Sequence, residues 1–198
     1  MRPLLGSMLA SALCLASVPV LAASPRNHSE AVLKVDISAQ VVGRCGIEAN
    51  GARTNDAARI DQPSVITFNF QLDCNTPFRI GLAAKNGGMR LDGAAPGEND
   101  AQGFAIVKPY DVALSFGTDQ AGQVDAGSCA AAAISAAQPA CAFYGAAPGA
   151  GFSPGELITA IQKDGTLAVS WKGEDGDTVR FAAGDYRDVI TVVVGPRT

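Results

Sequence analysis

The 198-residue chain has one histidine, one tryptophan and no Cys-x-x-Cys pair. Each scarcity removes a class of chemistry. A Ser-His-Asp or Cys-His site needs an imidazole held rigidly by packing, and the single imidazole, His28, lies in a segment near the N-terminus where chains are poorly tied down. A zinc site lacks both the paired-cysteine spacing and the histidines. Lys and Arg total 15 against 19 Asp and Glu, without a basic run, so the electrostatic footprint of a nucleic-acid binder is missing. No glycine-rich loop follows a strand and opens a helix, which leaves a bound nucleotide without its phosphate cradle. Aromatic residues make up only 6 %, and Trp171, the one candidate for stacking on a sugar, is spaced with Leu167 and Val169 as a core residue of a strand. Glu174-Asp175-Gly176-Asp177 imitates the start of a calcium loop but lacks the continuing oxygen ligands and terminal Glu, and reads better as a solvated hairpin turn. Asn27-His28-Ser29 matches a glycosylation sequon, a match too short to carry weight. An enzyme is therefore not expected, nor a metal or cofactor. A hydrolase using paired carboxylates survives only if some Asp or Glu pair lies in a pocket with perturbed ionisation.

The one long apolar stretch stands at the start. Arg2 supplies a minimal positive n-region, Leu4 to Leu21 is apolar and rich in small residues, and Val20-Leu21-Ala22 offers a cleavage pattern. Residues 1–22 are expected to be a signal peptide, cut after Ala22 or Ala23, rather than a membrane anchor, since no basic stop-transfer residues follow. Cys14 inside it is preceded by Leu13 where a lipoprotein signal needs a small residue. Losing Arg2 leaves the remainder one charge more acidic than the −4 of the whole chain. Four cysteines then remain, Cys45, Cys74, Cys129 and Cys141, an even number that favours disulfides in an exported protein.

What is there is β-pattern. From Ala31 to Val42, Leu33, Val35, Ile37, Ala39 and Val41 fall on one face, and Lys34, Asp36, Ser38 and Gln40 on the other. In Ser64–Cys74, Ile66, Phe68, Phe70 and Leu72 alternate with Thr67, Asn69, Gln71 and Asp73, which puts Cys74 on the apolar face. Cys45 continues the apolar parity of the first stretch if no bulge intervenes, so Cys45 is expected to pair with Cys74. Further strands are expected at Phe78 to Leu82, ending in the Asn86-Gly87-Gly88 turn, and at Tyr110 to Phe116 after a break at Pro109. Residues 117–155 shift to Ala, Gly, Ser and Pro with few large apolar side chains. They read as a long connection with a short helical turn near Ala130 to Ala137, stapled locally by Cys129 and Cys141. Strands are expected again at Leu157 to Ile161, Leu167 to Trp171, Thr178 to Phe181 and Tyr186 to Val194, with Asp164-Gly165 as the turn between the first two. Short strands, glycine turns and no amphipathic helix together predict an all-β sandwich in one domain. The Ala31–Val42 strand is either its first edge strand or a strand that completes a neighbouring molecule.

Several pieces together resemble the spore coat protein U domain, the family that includes the pilin subunits of archaic chaperone-usher pili. They are Ala31-Val-Leu-Lys-Val-Asp-Ile-Ser, Gly43-Arg-Cys-Gly-Ile, Leu72-Asp-Cys74, Pro77-Phe-Arg-Ile-Gly-Leu-Ala, Asn86-Gly-Gly and Tyr110-Asp-Val-Ala-Leu. The most specific is the closing Ala183-Gly-Asp-Tyr-Arg-Asp-Val-Ile-Thr-Val-Val-Val194. The resemblance implies an immunoglobulin-like sandwich lacking its last strand, with residues 23–43 as tail and donor strand and 44–198 as the pilin domain. It also implies polymerisation through Leu33, Val35, Ile37, Ala39 and Val41. Its implied partners are a periplasmic chaperone, an outer-membrane usher and neighbouring subunits on the cell surface, with adhesion or biofilm formation as the outcome. The alternative is a self-complete secreted sandwich that coats a surface or binds a ligand.

Overall fold

The computed structural model describes residues 36–51, 59–95, 100–101, 103–136, 139–173 and 180–197. The expected signal peptide, Cys14, the Asn27-His28-Ser29 sequon, the Glu174 to Asp177 turn, and Leu33 and Val35 of the N-terminal pattern lie outside them. The chain divides into two units after Gln40, and the strands all belong to the second, Val41–Thr198.

Among the described residues the strands are β1 Cys45–Ala49, β2 Ser64–Cys74, β3 Phe78–Ala84, β4 Met89–Leu91, β5 Asp100–Ala101 and β6 Phe104–Ala105. They continue as β7 Val107–Lys108, β8 Asp111–Thr118, β9 Gly122–Ala130, β10 Ala160–Trp171, β11 Tyr186–Arg187 and β12 Ile190–Pro196. The fold is all-β and antiparallel, as the two-residue periodicity predicts. One sheet runs β1-β2-β10-β8-β9, and a β12-β3 pair forms a second layer. Between the layers Leu72, Ile80, Leu82, Leu114 and Phe116 are fully buried, and Trp171 is buried as expected. The smaller β11-β4-β7 and β5-β6 sheets complete the molecule.

Four strand assignments change, and of a fifth, Thr178 to Phe181, the first two residues lie outside the described ones and Phe181 keeps only an isolated bridge to Ala105. Asp164-Gly165 is not a turn: β10 runs unbroken from Ala160 to Trp171, with a bulge between Ala160 and Lys163. Gly165 lies opposite Phe70 in that ladder, and a Cβ there would run into the Phe70 ring. The glycine makes room for an aromatic and does not turn the chain. Leu157 to Thr159 precede the strand, with Leu157 exposed. Tyr186 to Val194 is two strands in different sheets, β11 and β12, parted at Asp188. Lastly, the segment 117–155 is not one long connection. Gly122–Ala130 is the edge strand β9, whose alternation is broken by a bulge opposite Leu114 and Ser115, so period-two reading passes over it.

The rest of that segment is structure too. After β9 a 3-10 turn, Ala131–Ile134, crosses to the second layer with Ile134 buried. The chain then follows the outer edge of β3: Leu82 N–H donates to Phe143 O at 2.8 Å, Gly145 N–H to Leu82 O at 3.0 Å, and Ile80 and Phe152 exchange both bonds at 2.9 Å. Phe143 is fully buried. A Cβ on Gly81 would come within 2.8 Å of Gly145, so these two glycines permit the backbones to lie in contact. Small residues make this segment a close-fitting cover.

Candidate strand-binding seam

Among the described residues the two layers are closed along one side and open along the other. On the closed side the crossover after β9 covers the edge of β3 with backbone hydrogen bonds. On the open side two strands each have one partner among the described residues: β1 pairs only with β2, and β12 only with β3. These unpaired edges meet, with Cα atoms approaching within 8 Å, yet no ladder joins them.

The register shows what each edge presents. Arg44 O accepts from Asn75 N–H and Asn69 O from Asn50 N–H, so the even-numbered residues of this stretch bond to β2. The backbone groups of Cys45, Ile47 and Ala49 therefore face the seam. In β12, Lys85 N–H donates to Val189 O and Arg197 N–H to Pro77 O, so odd-numbered residues bond to β3. Ile190, Val192 and Val194 turn their N–H and C=O groups outward. Their side chains, with that of Ile47, pack against the core but stay only partly buried, whereas Phe78, Ile80 and Leu82 on neighbouring β3 are fully buried. An alternating strand laid here would find hydrogen-bonding groups on both flanks and apolar surface beneath.

The cysteines frame this seam. Cys45 and Cys74 are bridged and stand directly opposite each other in the β1–β2 ladder, Cα atoms 4.0 Å apart. They meet as cross-strand neighbours and not across the core. Cys129 and Cys141 are bridged across the crossover, on the closed side.

Of the five residues expected to form an intermolecular strand, Ile37, Ala39 and Val41 are described. Residues 36–44 form no strand, and Ile37 and Val41 are 90 % and 84 % exposed. Just before β1 the backbone is fastened: Asn75 Oδ1 accepts from Arg44 N–H at 2.7 Å, Asn75 Nδ2 donates to Val42 O at 3.1 Å, and the Arg44 guanidinium makes two bonds to Asp73.

Sequence reasoning missed one partly buried polar site. The Asp188 carboxylate accepts from Asn86 N–H, Gly88 N–H, Val189 N–H and the Tyr110 hydroxyl, tying together the glycine turn, the residue that leads into β8 and the start of the last strand. Burial, then the Asp188 charge, pushes the Tyr110 hydroxyl far above its ordinary value of 10.0. Among the described residues two carboxylates are displaced, both downward. Asp61 is lowered chiefly by its hydrogen bond from Arg59, and Asp119 chiefly by one from Thr159, with Lys163 as its ion-pair partner at 3.1 Å. Neither has the raised value a general acid requires. Among the described residues no cluster of three His, Cys, Asp or Glu could hold a metal, and no helix is long and apolar enough to cross a membrane. No protein-family model and no curated protein sequence matches the chain.

Proposed function

We propose that this protein is the subunit of a surface fibre assembled by strand exchange, in which Leu33 to Val41 of one copy fills the β1–β12 seam of the next. One coincidence carries it. Among the described residues β1 and β12 each have an edge with no ladder partner, above a partly buried apolar floor, and Ile37 and Val41, from the described end of the alternating segment, are exposed. Four large side chains, Leu33, Val35, Ile37 and Val41, would each contribute roughly 1.5–3 kcal/mol if fully buried there, with Ala39 between them. Backbone bonds on both flanks set the register. In this reading the sandwich is immunoglobulin-like and lacks its last strand. An empty seam invites aggregation, which a periplasmic chaperone prevents by occupying it until an outer-membrane usher passes the subunit to its neighbour. The two disulfides fit the oxidising compartment such a route crosses. Adhesion or biofilm formation is the outcome at the cell surface.

A self-complete secreted sandwich is the second reading, favoured by the close approach of β1 and β12. Electrophoresis of surface extracts with and without boiling separates the two. Strand exchange gives a ladder that survives cold detergent and collapses to one band on boiling, and Ile37→Asp abolishes the ladder while both disulfides still form. A single band in both lanes supports the self-complete sandwich.

A further inference from the structure

The two strands that border the seam are held unequally. At one end both fasten to the short stretch 74–78. Cys45 is bridged to Cys74 and Asn75 N–H donates to Arg44 O, while Arg197 N–H donates to Pro77 O and Pro196 stands opposite Phe78. The width of the seam there is limited by the reach of those few residues. At the other end β12 starts beside Asp188, whose carboxylate is bonded to the glycine turn at Asn86 and Gly88. Among the described residues the hydrogen bonds of β1 at that end are those of its ladder with β2, the last being Asn50 N–H to Asn69 O at 2.9 Å. Its burial fades in the same direction, from half-buried Cys45, Gly46 and Ile47 to exposed Glu48 and Ala49.

β12 is also gripped from outside. Gly195 is buried although it faces away from the core against which its neighbour Val194 packs. What covers it is the loop 145–151, which leaves the edge of β3, passes over Gly81 and lies on β12. A Cβ on Gly195 would come within 2.6 Å of Gly149 N, and one on Gly81 within 2.8 Å of Gly145 Cα. Gly149 takes the left-handed conformation there, with φ +82°. The loop is then fixed at its exit: Arg79 Nη1 donates to Gly151 O at 3.0 Å, and Glu156 pairs with Arg197, just beyond β12, at 3.2 Å.

We infer that β12 is the fixed jaw of the seam, clasped by the loop 145–151, and that β1 is the moving jaw, hinged at the Cys45–Cys74 bridge and opening from its Ala49 end. Its use rests on the strand-exchange proposal, since a jaw that opens matters only where the seam takes a strand. The crossover that closes one side of the sandwich thus also holds the strand bordering the other.

Amide hydrogen exchange on the full mature chain as a monomer tests this without requiring polymer. The amides to compare are those bonded within each pair: Gly46, Glu48 and Asn50 toward β2, and Thr191 and Val193 toward β3. Glu48 and Asn50 should exchange at least about tenfold faster than Thr191 and Val193, with Gly46, beside the bridge, between them. Gly195→Ala drives a methyl group into the loop backbone and should raise Thr191 and Val193 to the rate of Glu48 while β8 amides stay protected. Equal exchange of the two strands in the unaltered chain, fast or slow, overturns the inference, as does unchanged exchange of Thr191 and Val193 in Gly195→Ala with β8 intact. Should that variant lose β8 protection, the unaltered chain and Glu156→Ala decide instead, the latter raising the same two β12 amides to a smaller degree. The ladder assay fails independently: jaws that behave as expected in a chain that never forms a ladder sink the fibre subunit reading alone.

Discussion

Asp188 joins three parts of the molecule with one carboxylate, and its removal strands two buried donors, the Gly88 N–H and the Tyr110 hydroxyl, while the exposed Asn86 and Val189 N–H groups can turn to water. An unpaired buried donor costs more than a typical hydrogen bond contributes. Asp188→Ala should destabilise the fold by about 2–4 kcal/mol in urea unfolding, and Asp188→Asn by less. Tyr110 adds a pH dependence whose sign follows from burial. Its folded-state value is raised above that of the unfolded chain, so above pH 10 or so the unfolded state has lost the proton that the folded state keeps. The contribution is complete below that pH and is lost as pH rises beyond it. Tyr110→Phe should flatten the fall in stability that sets in above about pH 10, which unfolding curves at a series of pH values will show. Neither partner stands out in the sequence. Asp188 reads there as one more polar residue in an alternating strand, and only the fold brings Asn86, Gly88 and Tyr110 to it.

At the scale of elements, glycines mark where one strand approaches another. Gly165→Ala in β10 should cost about 1–3 kcal/mol, the range for overpacking a core, because Phe70 is itself buried and cannot swing clear. Adding Phe70→Leu should restore part of the loss, and a double-mutant cycle measures that coupling. The crossover beside β3 is secured differently. Cys129 and Cys141 are 12 residues apart, and replacing both by Ser should lower stability by roughly 3 kcal/mol in the chain-entropy picture. Local protection of the Leu82 and Gly145 amides should fall with it. β2, β3 and β8 were legible because their buried faces repeat every two residues over seven residues or more. β9 was not, since its bulge changes parity midway and its inward residues are small.

For the molecule as a whole, the width of the seam governs how quickly it can be filled. A strand paired on both flanks needs its neighbours about 9.6 Å apart, twice the usual ~4.8 Å spacing, whereas β1 and β12 come within 8 Å in places. They must part before a strand enters. A synthetic peptide of residues 31–42 should therefore bind the mature chain slowly, below the ordinary range of about 10⁵–10⁷ per molar per second, and should stay bound for long. Stopped-flow binding at several temperatures would check this, and a rate inside the ordinary range would mean that the seam is already wide enough.

Sequence alone determined the all-β class, the inward faces of the main strands and the position of the break at Pro109, whereas the place of the Cys45–Cys74 bridge, between neighbouring strands of one ladder, came from the structure. The class and the inward faces follow from a local two-residue period that each stretch carries by itself, and the break from a proline that has no N–H to give a ladder. Tertiary structure decided which edges find partners: β9 and the crossover close one side, β1 and β12 leave the other open, and Asp188 parts β11 from β12. Pairing between strands distant in sequence depends on who approaches whom. A glycine that admits an aromatic ring and a glycine that turns the chain are the same letter until the neighbour is in place.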